Sequence, residues 1–497
     1  SDGNYKGLLE LQYFNKRTTN PVFWGVKLDT SIPIKNSDYG YKAGQSYSLA
    51  LSCLFKPNIK IVSNPIGISS GLVLLHTGQG YWGDFEDPTS ISTILVPTIG
   101  GIWEVGNGTL SLNIQKPLLI DGVGTGSENT LNNSFDAIVV GTGVSGGWAA
   151  KELCEKGLKT LVLERGPMVK HIEDYTTAND DHWDYPHGDV ITQEIRKNQP
   201  KQSRTGYVNT ESTKRFFVND HEHPYNETKR FDWIRGYHVG GRSLLWGRQV
   251  YRLSDIDFEA NLKEGIAVDW PIRYKDIAPW YEYVEKYIGV SGEYLGLPQL
   301  PDSNFLKAME LNCIEEHLKG SIAEKYNDRL LTIGRVAHIT EGTKPGSGRV
   351  NCQFRNRCRR GCPFGAYFSS NSSTLPAAEK TGKMTLMPNS IVSEVIYDSD
   401  SKKAIGVRVI DAISKEFIEY KAKVIFLCAS TIPSTAILLN SKSERFPNGL
   451  GNESGELGHN IMDHHLGVGA FANSEDFKDK YYIGRRPNGI YIPRFRN

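Results

Sequence analysis

The chain has no excess of charge of either sign: 57 basic and 56 acidic side chains leave a formal net charge of +1. Such a balance gives no electrostatic footprint for nucleic acid or for an anionic membrane surface. Long hydrophobic runs are missing as well. Ala137–Val140 and Val424–Cys428 are among the longest, far short of the ~20 residues that cross a bilayer, so no transmembrane segment is expected. The opening Ser1-Asp2-Gly3-Asn4 lacks the basic and apolar regions of a signal peptide. It also lacks an initiating Met, as expected if residues upstream have been removed. Cysteine is sparse and odd in number, seven in all, at positions 53, 154, 313, 352, 358, 362 and 428, which argues against a disulfide framework. There is no internal repeat and no low-complexity tract.

The 497 residues allow two or three domains, and the sequence reads as two unlike pieces. Residues 1–117 hold short β-type runs, such as Gly71–His76, Ile91–Val96 and Ile102–Val105, punctuated by Gly100-Gly101 and Asn107-Gly108. This spacing suggests an all-β sandwich or barrel, and no catalytic constellation stands out in it. Residues 118–134 are dominated by Gly, Ser and Asn and predict a flexible linker. From Phe135 onward buried-strand runs alternate with helical stretches, the signature of an α/β domain.

That domain opens on a nucleotide fingerprint. The apolar run Phe135–Val140 predicts a buried parallel strand and leads into Gly141-Thr142-Gly143-Val144-Ser145-Gly146. The three glycines match G-x-G-x-x-G: the first permits a tight turn, the second lets a pyrophosphate approach the backbone, the third brings helix and strand together. A helix over Trp148–Lys156, ended by Gly157, would present its N-terminal amides to the pyrophosphate. A second strand, Lys159–Leu163, carries Glu164 at its end, where an acidic side chain can accept the ribose hydroxyls of an adenosine. Strand, glycines, helix, strand and Glu in register form a dinucleotide-binding βαβ unit. The bland alternative is a glycine-rich turn that binds nothing.

Further motifs follow in order. Glu164-Arg165-Gly166, then Gly236–Gly247 with its Gly240-Gly241-Arg242-Ser243-Leu244-Leu245-Trp246 stretch, resemble flavin motifs of the glucose–methanol–choline (GMC) oxidoreductase family. Asp269–Ile272 and Asp276–Tyr281 resemble the start of that family's substrate domain. Ile391-Val392-Ser393 resembles the segment whose backbone meets adenine. Val424–Leu427 with Ala429–Ser434 and Leu438-Leu439 resembles its late strand and helix, and Leu457–His464 its Leu-Gly-x-x-Leu-Met-Asp-His stretch. The resemblance spans about 134–470 and says nothing of 1–117.

The resemblance implies an FAD-binding Rossmann-like domain with an interleaved, partial α+β substrate domain over 135–497. It implies cofactor contacts at Gly141, Gly143, Val144, Ser145, Gly146, Glu164, Arg165, Gly240, Gly241, Ser243, Trp246, Val392 and Ala429. Leu244 and Leu245 stand where some relatives carry a flavin-linking His, so the FAD is expected to be non-covalent. The family's catalytic His lies in a C-terminal segment expected beyond Asn497. His464 and His465 are read as structural rather than catalytic.

Cys352, Cys358 and Cys362-Pro363 have a spacing that can be read as iron–sulfur ligation, and membrane-associated sugar dehydrogenases of the superfamily carry such a cluster and pass electrons to a cytochrome c subunit. The alternatives are zinc, which needs a fourth ligand, or a basic, solvent-facing loop of Arg355, Arg357, Arg359 and Arg360 with the thiols packed inside or in one local disulfide. His221 and His223 could bind a metal if they lay on one face of a strand, and otherwise read as a polar loop. His171, His182 and His187 sit in an aromatic, acidic stretch that could cover the flavin or line a sugar site, or be a surface loop.

The implied reaction is oxidation of an alcohol of a sugar, glycoside or polyol by hydride transfer to flavin. A small subunit and a cytochrome c are candidate partners, and the bacterial periplasm or the cytoplasm the candidate location of a soluble protein. The alternatives are an oxygen-reducing oxidase, an NAD-dependent dehydrogenase, and a fusion or fragment whose β module binds a partner or carbohydrate beside an incomplete flavoenzyme.

Overall fold

The computed structural model describes residues 6–15, 22–33, 41–42, 45–55, 60–61, 64–78, 80–82, 85–87, 92–105, 108–115, 118–122, 134–185, 187–207, 209–342, 348–462, 468–473, 475–480 and 486–496. The chain divides into two compact units, Ser1–Leu131 and Asn132–Asn497.

The first unit is all-β among its described residues. Its strands are β1 (Lys6–Asn15), β2 (Val22–Pro33), β3 (Tyr41–Lys42), β4 (Ser46–Phe55), β5 (Lys60–Ile61), β6 (Asn64–Thr77), β7 (Gly80–Trp82), β8 (Phe85–Asp87), β9 (Ser92–Val105), β10 (Gly108–Gln115) and β11 (Leu118–Gly122). Six of them form an antiparallel sheet in the order β1-β2-β4-β6-β9-β10, with β5 paired to β6 and β11 to β9; β3-β7-β8 form a small second sheet. Successive long strands are antiparallel neighbours, and among the described residues β1 and β10 do not pair with each other, so the sheet is open rather than the expected sandwich or barrel. The linker expected from 118 also begins later. Leu118-Leu119 pairs with Leu95-Ile94, and a bulge precedes Asp121. The aliphatic run Leu118–Ile120 favours a strand over the coil that the following glycines suggest. Ser134, expected as the linker's last residue, already belongs to the next strand; the rest of that stretch, 123–133, lies outside the described residues.

The second unit contains β12 (Ser134–Val140), α1 (Val144–Glu155), β13 (Thr160–Leu163), α2 (Gln193–Asn198), α3 (Pro200–Ser203), α4 (Asp255–Glu264), α5 (Tyr274–Ile288), α6 (Cys313–Lys325), β14 (Thr332–Ile333), α7 (Thr374–Lys380), β15 (Met384–Met387), β16 (Ser390–Asp398), β17 (Lys403–Asp411), β18 (Phe417–Leu427), α8 (Thr431–Asn440) and β19 (Ile490–Tyr491). Its sheet runs β15-β13-β12-β18-β17-β16. The first four strands are parallel, and β18, β17 and β16 continue as an antiparallel meander. This is the α/β architecture that the sequence predicts.

Alternation along the buried strands sends successive side chains to opposite faces. Ile138, Val140, Leu161 and Leu163 pack with Val392, Val395, Val407 and Val409 of β16 and β17. Val139 and Val162 pack against Ala150 and Cys154 of α1 and Ala378 of α7. β12 and β13 are covered on both faces, which is why they read as unbroken apolar runs.

Two buried cations hold α5 in place, one of them from α1 of this layer. Lys151 of α1 pairs with Glu155 at 2.8 Å and lies 4.6 Å over the ring of Tyr287 in α5. Arg252 meets both carboxylate oxygens of Glu285 in α5, at 2.5–3.1 Å, and both side chains are almost fully buried. A buried charge left without its partner costs about 3–5 kcal/mol. Arg252→Leu is therefore expected to lower the unfolding free energy by about that much in urea titration. The double variant Arg252→Leu/Glu285→Leu, which removes both charges, should recover most of the loss.

Candidate functional site: a dinucleotide cradle

The turn from β12 into α1 gives the site its shape. Gly143 caps α1 with no side-chain hydrogen bond, and no acidic residue sits in the first turn, so the helix presents free amides and its positive dipole end. A Cβ on Gly146 would stand 1.9 Å from the carbonyl oxygen of Gly141, so the close crossing of helix and strand requires glycine there. A Cβ on Gly143 would meet nothing within 4 Å; that side of the turn is open.

Glu164, 6% exposed, holds this turn. Its Oε2 accepts from the Thr142 amide at 3.1 Å and the Thr142 hydroxyl at 2.5 Å, and its Oε1 accepts from the Gly166 amide at 3.1 Å. A carboxylate has about four lone-pair sites, so capacity remains for a ligand hydroxyl. Burial pushes the Glu164 carboxyl above its usual range, opposed by the Thr142 and Gly166 hydrogen bonds and by Arg165.

The Thr142 hydroxyl also accepts from the Gly240 amide at 2.9 Å. Gly240 has φ of 88°, and a Cβ there would fall 1.6 Å from Oδ1 of Asn371. The Asn371 amide in turn donates to the carbonyls of Val169 and Val239 at 2.7 and 3.1 Å. Ser243 donates to the Gly240 carbonyl and accepts from the Ser370 amide, while the Ser370 hydroxyl donates to the Gly143 carbonyl. The two glycine motifs are thus bolted together by Thr142 and Ser370, and Asn371 ties the second to Val169. Sequence reasoning passed over all three; the one available signal was a run of hydroxyl and amide side chains, Ser369–Thr374, placed where a core helix begins.

Between these elements lies a cavity of about 680 Å³, within the 300–1,000 Å³ typical of cofactor sites. Of the residues expected from sequence, Gly141, Gly143, Val144, Ser145, Glu164, Arg165, Gly241, Ser243, Val392 and Ala429 line it. Gly146 and Gly240 stand behind the wall as packing positions. Trp246 does not line the cavity. Its indole donates to the Phe368 carbonyl and its ring packs against Phe368, in a core cluster with Trp148 and Ile288; a large apolar ring next to an aromatic core is drawn into it. The segment Trp233–Tyr237 closes one side, and Arg165 stacks on Tyr237 at 3.8 Å, another wall not expected from sequence. No histidine lines this cavity among the described residues. His464 and His465 lie outside the described residues. The residues present fit an adenine dinucleotide: an uncapped helix end, open backbone at Gly143, and a carboxylate with a spare acceptor site.

The cysteine loop differs from its bland reading. The thiols are free, with no local disulfide. Arg359 is exposed, as a basic surface loop expects, but Arg355 and Arg357 are half-buried and bond to the backbone and side chains of 178–181, and Arg360 is buried against the Asp180 carbonyl and Asp189. Acidic 180–189 and basic 355–360 neutralise one another, which leaves His182 and the exposed Trp183 on a pinned outer loop. Cys352, Cys358 and Cys362 share a small cavity with His338, whose Nε2 is 3.7 Å from the Cys358 sulfur. Burial pushes the Cys352 thiol up to about 11 and His338 down to about 3. Among the described residues, no three His, Cys, Asp or Glu side chains are grouped as metal ligands. His221 bonds to the Lys197 carbonyl and His223 stacks edge-on to Tyr237, as polar-loop residues do.

Fold and site together define an α/β unit with the geometry of a dinucleotide cradle. The GMC oxidoreductase family model matches residues 343–466. It is 26% identical over 365 residues to the fructose dehydrogenase large subunit of Gluconobacter japonicus, covering 69% of this chain and 60% of that one. It is 26% identical over 409 residues to the gluconate 2-dehydrogenase flavoprotein of Pantoea cypripedii, covering 76% and 64%, and 24% identical over 345 residues to a 2-methyl-1,2-propanediol dehydrogenase of Mycolicibacterium austroafricanum, covering 68% and 56%. The chain therefore spans 56–64% of the length of these relatives. Among solved structures it is similar to pyridoxine 4-oxidase from Mesorbium loti, at 16% identity and a TM-score of 0.36, covering 62% of this chain and 51% of that one.

Two outcomes follow from the site. Gly146→Ala forces helix and strand apart and should abolish FAD retention, while Thr142→Val, which removes one hydroxyl from the hub, should weaken FAD binding about ten-fold or more, as loss of a hydrogen bond to a buried charge does; fluorescence titration reads both. His171, held down to about 4 by burial and by Arg349, binds fewer protons folded than unfolded, where its value is about 6.5. Its share of stability is present above pH ~6.5 and is lost as pH falls toward 4. His171→Gln should flatten that acid limb in pH-dependent denaturation.

Proposed function

We propose that the chain is the flavin-binding part of an FAD-dependent dehydrogenase that oxidises an alcohol group of a sugar, glycoside or polyol. The observation that carries this reading is the Glu164–Thr142–Gly240 hub, which holds both glycine motifs around the 680 Å³ cavity. The three dehydrogenase relatives support it, since their names give a ketose, a sugar acid and a diol as substrates.

In this reading the amides of Gly143, Val144 and Ser145 hold the pyrophosphate, and Glu164 accepts a ribose hydroxyl. Val392 and Ala429 flank the adenosine, and Gly241 and Ser243 bound the opposite end. Bound FAD supplies the hydride acceptor. The protein's own contribution is to fix the cofactor in a dry, preorganised cradle: Glu164 and Thr142 keep the loop closed, and Arg165 stacked on Tyr237 shields one side.

The finer reading adds a second redox centre at Cys352, Cys358 and Cys362. The three thiols share one pocket with His338, and an iron–sulfur cluster would take them as thiolates, displacing the protons that burial favours. A one-electron relay of this kind goes with a cytochrome c partner, a small subunit and a periplasmic location.

The test is to purify the chain with FAD and record its visible spectrum before and after adding fructose, gluconate or a diol. Non-covalent, acid-extractable flavin that is bleached by one of these and re-oxidised by an artificial acceptor faster than by oxygen is the expected result. Flavin bound but never bleached by any alcohol would sink the substrate class, and faster re-oxidation by oxygen would make it an oxidase. Cys358→Ser should erase an iron–sulfur electron paramagnetic resonance signal while flavin stays bound.

A further inference from the structure

The sheet of the first unit is turned inside out with respect to a soluble domain. Along β4 the exposures alternate, with Ser46, Ser48 and Ala50 half-buried and Tyr47, Leu49 and Leu51 exposed. Cross-strand register extends this into rows. Leu28 faces Leu49, which faces Leu74, and in the next row Leu51 faces Leu72. These five side chains are 36–49% exposed, and Ile99, on the same face of β9, is 60% exposed. No Asp, Glu, Lys or Arg occupies this face among the described side chains of β2, β4, β6 and β9; Lys27 lies on the other one, opposite Ala50. Contiguous apolar patches beyond a few hundred Å² mark interaction sites.

We propose that this face pairs two copies of the chain, sheet on sheet, about a two-fold axis. Three arguments select a second copy. A charge-free apolar face is its own complement, as an isologous interface requires. Strands about 4.8 Å apart, rising ~3.3 Å per residue, give the six-strand meander a face of roughly 25 by 30 Å, close to the ~800 Å² per partner of a standard interface. Two such faces stacked about 10 Å apart make the sandwich core that a single open sheet lacks. A bilayer surface fits less well, because membrane-docking faces carry Lys and Arg beside their apolar residues, and the described side chains of this face show none.

The experiment is sedimentation equilibrium and light scattering of the full chain across a concentration series. The expected mass is twice 55.5 kDa, falling to the single value on dilution. Leu49→Lys places a charge at the centre of the face and should raise the dissociation constant about a hundred-fold or more. Ser48→Lys, on the other face, should leave it unchanged, and matching far-ultraviolet circular dichroism for both variants excludes misfolding as the cause. The proposal is overturned by a wild-type chain monomeric at micromolar concentration, whether it binds a hydrophobic dye (a free face) or does not (a face covered by other parts of the chain). It is equally overturned by a dimer indifferent to Leu49→Lys, or by co-flotation of monomers with neutral phosphatidylcholine vesicles.

Discussion

The hydroxyl of Thr142 joins three stretches of chain far apart in sequence: it donates to Glu164 at the end of β13 and accepts from the Gly240 amide. Each contact is short, buried and partly charge-assisted, the class of hydrogen bond that contributes most. Without this hub the β12–α1 turn and the Gly240-Gly241 turn have no common anchor. The positive φ of Gly240, the seating of Asn371 and the orientation of Ser243 all depend on it. Glu164 is thus a structural acceptor, with lone-pair capacity to spare.

The βαβ unit was legible in the sequence because its signals are local. Phe135–Val140, the spaced glycines, the helix and Glu164 all lie within about thirty residues, and each imposes its own geometry. The second glycine motif, β16 and β18 were legible only through resemblance. Ser370 and Asn371 were not legible at all, since their roles arise from contacts across more than a hundred residues that no periodicity encodes. Trp246 shows the opposite error: a residue inside a functional motif that the aromatic core has claimed.

The charge pattern misled in one place for a clear reason. Four arginines within six residues suggest a solvated loop when read alone. Two of them find counter-charges about 170 residues earlier, Arg357 at Asp181 and Arg360 at Asp189, while Arg359 stays exposed. The first unit misled in a different way. Alternation identifies strands but not which face meets water, and here the apolar face is the exposed one.

The order of strands in the second unit has a consequence for biosynthesis. β12 pairs along one edge with β13, close in sequence, but along the other with β18, and the Asp136–Lys423 ion pair across that junction spans 287 residues. A ribosome releases the N-terminal part first, so β12 emerges long before its second neighbour exists. During that interval an apolar parallel strand offers an unsatisfied edge to other nascent chains. Closure of that edge of β12 therefore waits until β18 has been synthesised.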